Sequence, residues 1–312
     1  MVSNDEVLHI KHLYPHKSVK EFSNDIDFIL KYFLPISLND IFNHLSMRKP
    51  LPTKALHMTF DDGFQEIHDI VAPILLKKGI PTTFFINSSF IDNNALCYQH
   101  KASLIVEHLL QHNISKAAQD KIEHLLGPSI VKTTATNFHI LAIKYDQRNL
   151  IDQIAEILDM DFNNYLQKYH PYLTTQQIHQ LIAGGFTIGA HSIDHPLYAK
   201  LTLEEQISQT MESVRFVRNT FNLDYGAFAF PHSDLGVSKQ YFNQIENSGL
   251  VDVSFGTSGM IEDCIPNHYQ RFSLENPLLP AQKIFAYQYA KRLWRSIKHS
   301  NKIIRKKITH NN

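Results

Sequence analysis

Short apolar runs alternate with amphipathic stretches over most of this chain. That alternation restricts its fold more than any other feature. Ala55–Phe60, Thr82–Asn87, Phe186–Ala190, Ala227–Phe230 and Val251–Phe255 are brief and rich in aromatic or β-branched residues, as strands are. Val71–Lys78, Thr174–Ala183, Leu203–Phe221 and Lys239–Asn247 carry apolar residues at helical spacing. Gly79 and Pro81 stop the first of these helices, and Gly184–Gly185 stop the second. Strand–helix alternation of this kind predicts an α/β fold with a parallel sheet or barrel.

Three regions stand outside the rhythm. The N-terminal part, residues 1–54, predicts a helix over 19–33 with Phe22, Ile26, Ile29 and Leu30 on one face. A second helix over 37–46 has Ser37 as its cap and Asp40 three positions on. Residues 92–172 read as helices without strands, a helical insertion of the kind that shapes a site at the strand ends. Residues 281–308 read as one amphipathic helix. Its apolar stripe is Phe285, Tyr289, Leu293, Ile297, Ile304 and Ile308, with Trp294 beside it, and basic residues fill the remainder.

The chain has 312 residues. A prior of ~150 residues per domain suggests two domains, but α/β barrels of this size form one. We expect one domain over 1–280, followed by the basic helix of 281–312. Hydrophobic residues are 43% and charged residues 19%, which excludes a disordered, collagen-like or coiled-coil chain. Formal net charge is zero, so no global basic field suggests a nucleic-acid partner. The charge is unevenly placed. Asn276–Asn312 holds nine Lys/Arg and no acid, which leaves 21 basic and 30 acidic residues in 1–275. A basic helix with a Trp-bearing apolar stripe suits the surface of an anionic membrane; packing on the body with a solvated basic face is the alternative. Cys97 and Cys264 read as reduced thiols. No signal-peptide core and no apolar run of ~18 residues is seen, so the expectation is a cytoplasmic protein, at most peripheral at the inner membrane face.

Chemistry gathers at two strand ends. Thr59-Phe60-Asp61-Asp62-Gly63 places adjacent carboxylates after a buried strand, where they are costly unless something positive holds them. Neighbouring side chains of an extended segment point opposite ways, so both serve one site only if the chain turns, and Gly63 permits a turn. A helix-capping or Asx-turn pair is the alternative reading. His191-Ser192-Ile193-Asp194-His195-Pro196 follows another strand and puts two imidazoles at i and i+4, a spacing that can present both to one metal. His108 and His112 have the same spacing on a predicted helix and read as a solvated face. Two imidazoles and one carboxylate leave an open metal position, as a hydrolytic zinc site does, and the second carboxylate is free to act as base.

These two motifs, in this order, resemble the first two motifs of the polysaccharide deacetylase family, the NodB-like carbohydrate esterases. The resemblance spans residues ~55–91 and ~174–275. The start His12–Pro15 and the helical insertion are similar to a subgroup linked to surface-polysaccharide synthesis. The resemblance implies a distorted, incomplete (β/α) barrel. It also implies that Asp61 is the general base, and that Asp62, His191 and His195 bind a divalent metal, most often zinc. The family's third motif, Arg-x-Pro-Tyr, reads here Ala229-Phe230-Pro231-His232. The Arg that orients the base is missing, and the oxyanion-holding N–H falls on His232. Arg271 is a candidate to reach Asp61 instead, with a structural ion pair as the alternative. The family's Leu-x-x-x-His acid motif has no copy late in this chain; His232, His268 and His12 are candidates without a signature.

The resulting expectation is a metal-dependent hydrolase that removes an N-acetyl group from an amino sugar of a polysaccharide or of a lipid-linked or nucleotide-linked precursor. A sugar deformylase or O-deacetylase on the same fold, and a non-catalytic saccharide-binding protein, are the alternatives. Nickel, cobalt and iron suit the same ligands as zinc. Gly256-Thr257-Ser258-Gly259 has the wrong spacing for a nucleophile elbow, and no P-loop, dinucleotide fingerprint, HExxH or Cys-x-x-Cys occurs.

Overall fold

The computed structural model describes residues 1–127, 133–298 and 300–306. Its centre is a six-stranded parallel sheet in chain order: Met58–Phe60, Thr82–Ile86, Thr187–Ala190, Ala227–Ala229, Val253–Gly256 and His268–Gln270. Every strand pairs with its sequence neighbour, so each connection is a simple crossover, and the sheet curls into an incomplete (β/α) barrel. The first and last strands do not pair, which leaves the barrel open between them.

Alternation along the strands sorts the core into two sides. Phe84, Ile86, Ile188, Phe228 and Phe230 face the surrounding helices. Phe85, Ala227, Ala229, Val253 and Phe255 face inward, where Ile36, Leu38 and Ile41 pack beneath them. Gly189 makes room for this filling: a Cβ there would meet the Phe85 ring at 2.4 Å. Inner space left by small residues therefore decides how large a side chain the interior admits.

The expected elements occur with adjustments. Ser37 and Asp40 form a reciprocal capping box, as do Thr174 and Gln177. Residues 55–60 are not one strand. Ala55–Leu56 pairs with Leu34–Pro35, and Met58–Phe60 pairs with the next barrel strand. The segment before Ala72 is a π-helix, Ile67–Val71. Leu30 is 38% exposed; the buried face of Val19–Tyr32 is Phe22, Asp25, Ile26 and Ile29. Asp25 is buried because it pairs with Lys17 and accepts the Ala281 N–H at 2.7 Å, at the start of the C-terminal helix.

The insertion contains the helices Tyr98–Gln111, Lys116–Leu126, Thr133–Leu141, Asn149–Ile157 and Phe162–Tyr169, with a core of their own around Ile105, Ile122 and Ile151. A second cluster, with Ile10, Phe64, Phe90 and Tyr172, ties the insertion to the N-terminal segment and to the strand ends. His108 and His112 stack on each other with ring centroids 4.3 Å apart. Cys97 and Cys264 are free thiols.

The single helix expected over 281–308 is a correction. The helix is Ala281–Ile297, and Lys302–Ile303 forms a short parallel strand with Glu262–Asp263. The cause is Arg305, whose guanidinium is buried against Asp234 and Asp263; a continuing helix would carry it away from them. The expected stripe also divides. Phe285 is buried against Phe33, and Leu293 and Ile297 are exposed. Lys307 and Ile308 lie outside the described residues. No described helix is long and apolar enough to cross a membrane.

Candidate active site and metal centre

Asp61 and Asp62 follow the first barrel strand, and His191 follows the third. Both stretches leave their strands through left-handed backbone. Asp62 has φ 74°, Gly63 φ 69°, Ser192 φ 72° and His195 φ 66°. Non-glycine residues rarely hold such angles, and three do so within this one cluster. The turn at Asp62 is what lets adjacent carboxylates face one site.

Three donor atoms converge. Asp62 Oδ1 lies 3.1 Å from His195 Nε2 and 3.5 Å from His191 Nε2. The donor atoms of the three residues lie within 4.8 Å of one another. The His191 ring is oriented by its other nitrogen: Nδ1–H donates to the Ala229 carbonyl at 2.8 Å, which leaves the Nε2 lone pair pointing at Asp62. Asn87 holds the same loop by donating to the His191 carbonyl and to Ser192 Oγ, and Ser192 Oγ accepts the His195 N–H at 3.0 Å. Between the two histidines, Asp194 accepts from Tyr145 of the insertion and from Gln209 of the helix Leu203–Phe221. Two imidazoles and a carboxylate oxygen, with one imidazole tethered to a backbone carbonyl, fit a tetrahedral divalent ion with one position open.

Electrostatics follow from that packing. Burial pushes the Asp62 carboxyl up, but His195 and His191 outweigh it and hold the group well below the usual carboxylate range. Burial pushes His195 down; Asp62, with a further contribution from Cys97, overrides it and carries the ring up to about 10. His191 is lowered, mainly by burial.

Asp61 is held differently. Arg271 makes two parallel hydrogen bonds to it, Nη1 to Oδ1 at 2.8 Å and Nη2 to Oδ2 at 2.9 Å. Nη1 also donates to Thr59 Oγ1 at 2.8 Å, and Nε to the Gly256 carbonyl at 3.2 Å. Burial raises the Asp61 carboxyl, but Arg271 and His191 lower it further, and it stays ionised. Arg271 follows the last barrel strand and Thr59 belongs to the first, so this cation spans the barrel opening. It lies over the Phe85 and Phe255 rings. Ala229, which stands where the resembled motif has Arg, packs in the same interior cluster as those rings. A small residue at 229 and a cation at 271 thus share the space.

The other histidines separate. The His232 ring packs edge-on against His195 at 4.4 Å, and burial pushes it down to about 3. Its own φ is 54°, and its carbonyl accepts from Thr257 at 2.9 Å. His12 stands on the cleft wall, paired to Glu107 at 2.7 Å. His268 is away from the cleft, buried between Ser254 and Asp234, which removes it from the candidates for an acid. A cleft of about 1320 Å³ joins Asp61, Asp62, His191, His195 and His232 to the surface.

Several contributors escaped sequence reasoning. Tyr14 and His100 line the cleft close enough to Asp62 to feel its charge. Asn87 directly ends the strand TTFFI, and a polar residue at a strand's C-terminal end was the available signal. The Ala229 carbonyl had none, because any residue supplies one.

Residues 48–251 match the family model described as polysaccharide deacetylase. No curated protein matches the chain. Three solved structures share its fold. The Streptococcus pyogenes deacetylase PplD, in complex with acetate, is 11% identical, with 92% of this chain and 94% of that one covered and a TM-score of 0.56. IcaB from Ammonifex degensii is 14% identical, with 88% and 93% covered and a TM-score of 0.53. A de-N-acetylase from Aggregatibacter actinomycetemcomitans is 14% identical, with 92% and 96% covered and a TM-score of 0.56.

Proposed function

This chain belongs to the polysaccharide deacetylase family, and on that premise we propose that it is a metal-dependent hydrolase that removes an N-acetyl group from an amino sugar within a saccharide. One observation carries the reading. The donor atoms of Asp62, His191 and His195 converge on one point, and beside them stands a second carboxylate, Asp61, fixed by Arg271 and free of the imidazole His195.

The two aspartates divide the work by environment. Asp62 is within hydrogen-bonding reach of His195 and belongs to the ligand set. Asp61 lies 4.0 Å from His191 and is oriented by a cation. Asp62, His191 and His195 would hold a divalent ion, which when bound would supply Lewis acidity toward water and an acyl carbonyl. Asp61, ionised and held in one orientation, takes the proton of the attacking water. The His232 N–H is the chain's own donor for the developing oxyanion. His191 keeps its Nε2 available because Ala229 holds its Nδ1 proton. The cleft is larger than the ~300–1,000 Å³ common for small-molecule sites, which suits a saccharide of several units.

The test is acetate and formate release, measured side by side, from N-acylated oligosaccharides after reconstitution with zinc. Asp61→Asn is expected to retain metal and lose turnover. His191→Ala is expected to lose the metal. Metal loss in Asp61→Asn would show that the two aspartates have been assigned the wrong way round. Formate release in preference to acetate would move the reading to a deformylase. No metal in the wild-type chain after reconstitution would leave a saccharide-binding protein.

A further inference from the structure

The apolar anchorage of the helix Ala281–Ile297 lies in its first turns, and Gln288 adds a hydrogen bond from the Met260 N–H at 3.4 Å. Ala281, Ile284 and Phe285 are buried, with Phe285 stacked on Phe33 at 4.5 Å and edge-on to Phe272. No described residue between Phe285 and Arg305 is buried. The opposite face carries Ala286, Ala290, Leu293 and Ile297, at i, i+4, i+7 and i+11, which is one continuous stripe. Leu293 is 67% exposed and Ile297 73%. Tyr287 and Trp294, one above the other at i and i+7, adjoin the stripe at 63% and 59% exposure.

Such a face is uncommon on a surface that only water meets. One of its borders is basic. Lys283, Lys291 and Lys298 stand on the Tyr287–Trp294 side, and the Lys298 ammonium lies 4.6 Å from the Trp294 ring centroid. No acidic residue occurs from Asn276 to Asn312.

We propose that this face seats the protein on an anionic lipid bilayer. The helix axis lies in the interface plane, the stripe enters the headgroup–acyl boundary, and the lysines meet lipid phosphates. Charge complementarity selects this occupant over a second copy. Stripe-on-stripe pairing would bring the lysines of two helices together with no acid of either helix to offset them.

The same helix contributes Tyr289 and Arg292 to the wall of the active-site cleft. A seated helix therefore brings that cleft to the lipid surface, where a lipid-anchored saccharide would meet it. This consequence rests on the proposed deacetylase reading; the membrane contact does not.

Trp294 is the chain's single tryptophan, so its emission reports the contact directly. The full chain is mixed with vesicles of phosphatidylcholine alone, or with about 30% phosphatidylglycerol. Expected are a blue shift and protection from acrylamide quenching with the anionic vesicles only, both reversed by added salt. Leu293→Ser with Ile297→Ser, and separately Lys291→Glu with Lys298→Glu, should each weaken vesicle co-sedimentation roughly tenfold or more, with circular dichroism unchanged. Unchanged emission with anionic vesicles overturns the proposal. So does equal binding to phosphatidylcholine, or serine variants that bind like wild type. A blue shift that grows with protein concentration without vesicles assigns the face to a second copy. Acetate release from a soluble oligosaccharide tests the reaction separately, so the two readings fail independently.

Discussion

Arg271 grips Asp61 through two parallel hydrogen bonds across 210 residues of chain, and in doing so bridges the two barrel strands that never pair. The contact is structural and electrostatic at once. It closes the barrel opening with a cation, and it fixes the carboxylate beside the convergent donor atoms of Asp62, His191 and His195.

Replacing that cation separates the two effects. Arg271→Lys keeps the charge and loses the fork, since the two parallel bonds come from two guanidinium nitrogens in one rigid plane and an ammonium has a single nitrogen. If Asp61 is the base, small misplacement is costly, and kcat should fall ~100-fold in Arg271→Lys with metal content unchanged. Steady-state kinetics with metal analysis checks this. A Lys variant with wild-type kcat would leave Arg271 as a barrel clasp alone.

Buried histidines should make the fold acid-labile. His9 is buried, its Nδ1 lies 3.1 Å from the Tyr165 hydroxyl, its Nε2 has no partner, and burial pushes its pKa down to about 4. Between pH 6.5 and about 4 the unfolded chain binds a proton at this residue and the folded chain does not. Stability therefore rises with pH through this window and is lost as pH falls below 6.5. One group with this shift contributes on the order of 3 kcal/mol across the window. His9→Phe, which suits the neighbouring Phe64 and His100 rings, should flatten the loss. Urea midpoints at pH 7.5, 5.5 and 4.5 (about two units below the histidine reference at the lowest) measure it. Parallel curves for variant and wild type would refute the assignment.

Arg305 should matter more for stability than its place near the end of the chain suggests. It donates to Asp263 at 2.7 and 3.1 Å, bonds Asp234, and lies 4.3 Å from the Phe242 ring centroid. Both carboxylates are fully buried. Removing the cation strands them, at a cost of ~3–5 kcal/mol. Arg305→Met should show that loss in guanidinium unfolding. Adding Asp234→Asn and Asp263→Asn should recover part of it. The loop after Ala229 is tied in as well: Asp234 accepts the Thr257 N–H at 3.1 Å, and Thr257 donates to the His232 carbonyl. A loss below about 1 kcal/mol, the range of a surface pair, would contradict this account.

Five of the six barrel strands were legible because each is a short apolar run bounded by turn residues; His268–Gln270 carries a His and a Gln and has no such pattern. Asp61, Asp62, His191 and His195 were legible because their motifs follow such runs directly. Local pattern misled where a distant partner intervened. Leu30 matched the helical period but Asp25 took the buried position, because Lys17 and the Ala281 N–H satisfy its carboxylate. Ile304 extended the apolar period of the last helix, yet that helix ends at Ile297 and the strand Lys302–Ile303 carries Arg305 to two carboxylates.

The sequence by itself determined the α/β class and which acidic and imidazole side chains stand at the strand ends. Periodicity, caps and residue type act over a few positions, and a few positions suffice for each of these. Only the tertiary structure decided which cation meets which carboxylate. The sequence left Arg271 open between Asp61 and a structural ion pair, and it named no acid for Arg305. Curling of the sheet brings the end of the last strand to the end of the first, which assigns Arg271 to Asp61. The short pairing of Lys302–Ile303 with Glu262–Asp263 assigns Arg305 to Asp234 and Asp263. A buried charge is held only where its partner arrives, and arrival across 210 residues is a property of the closed sheet.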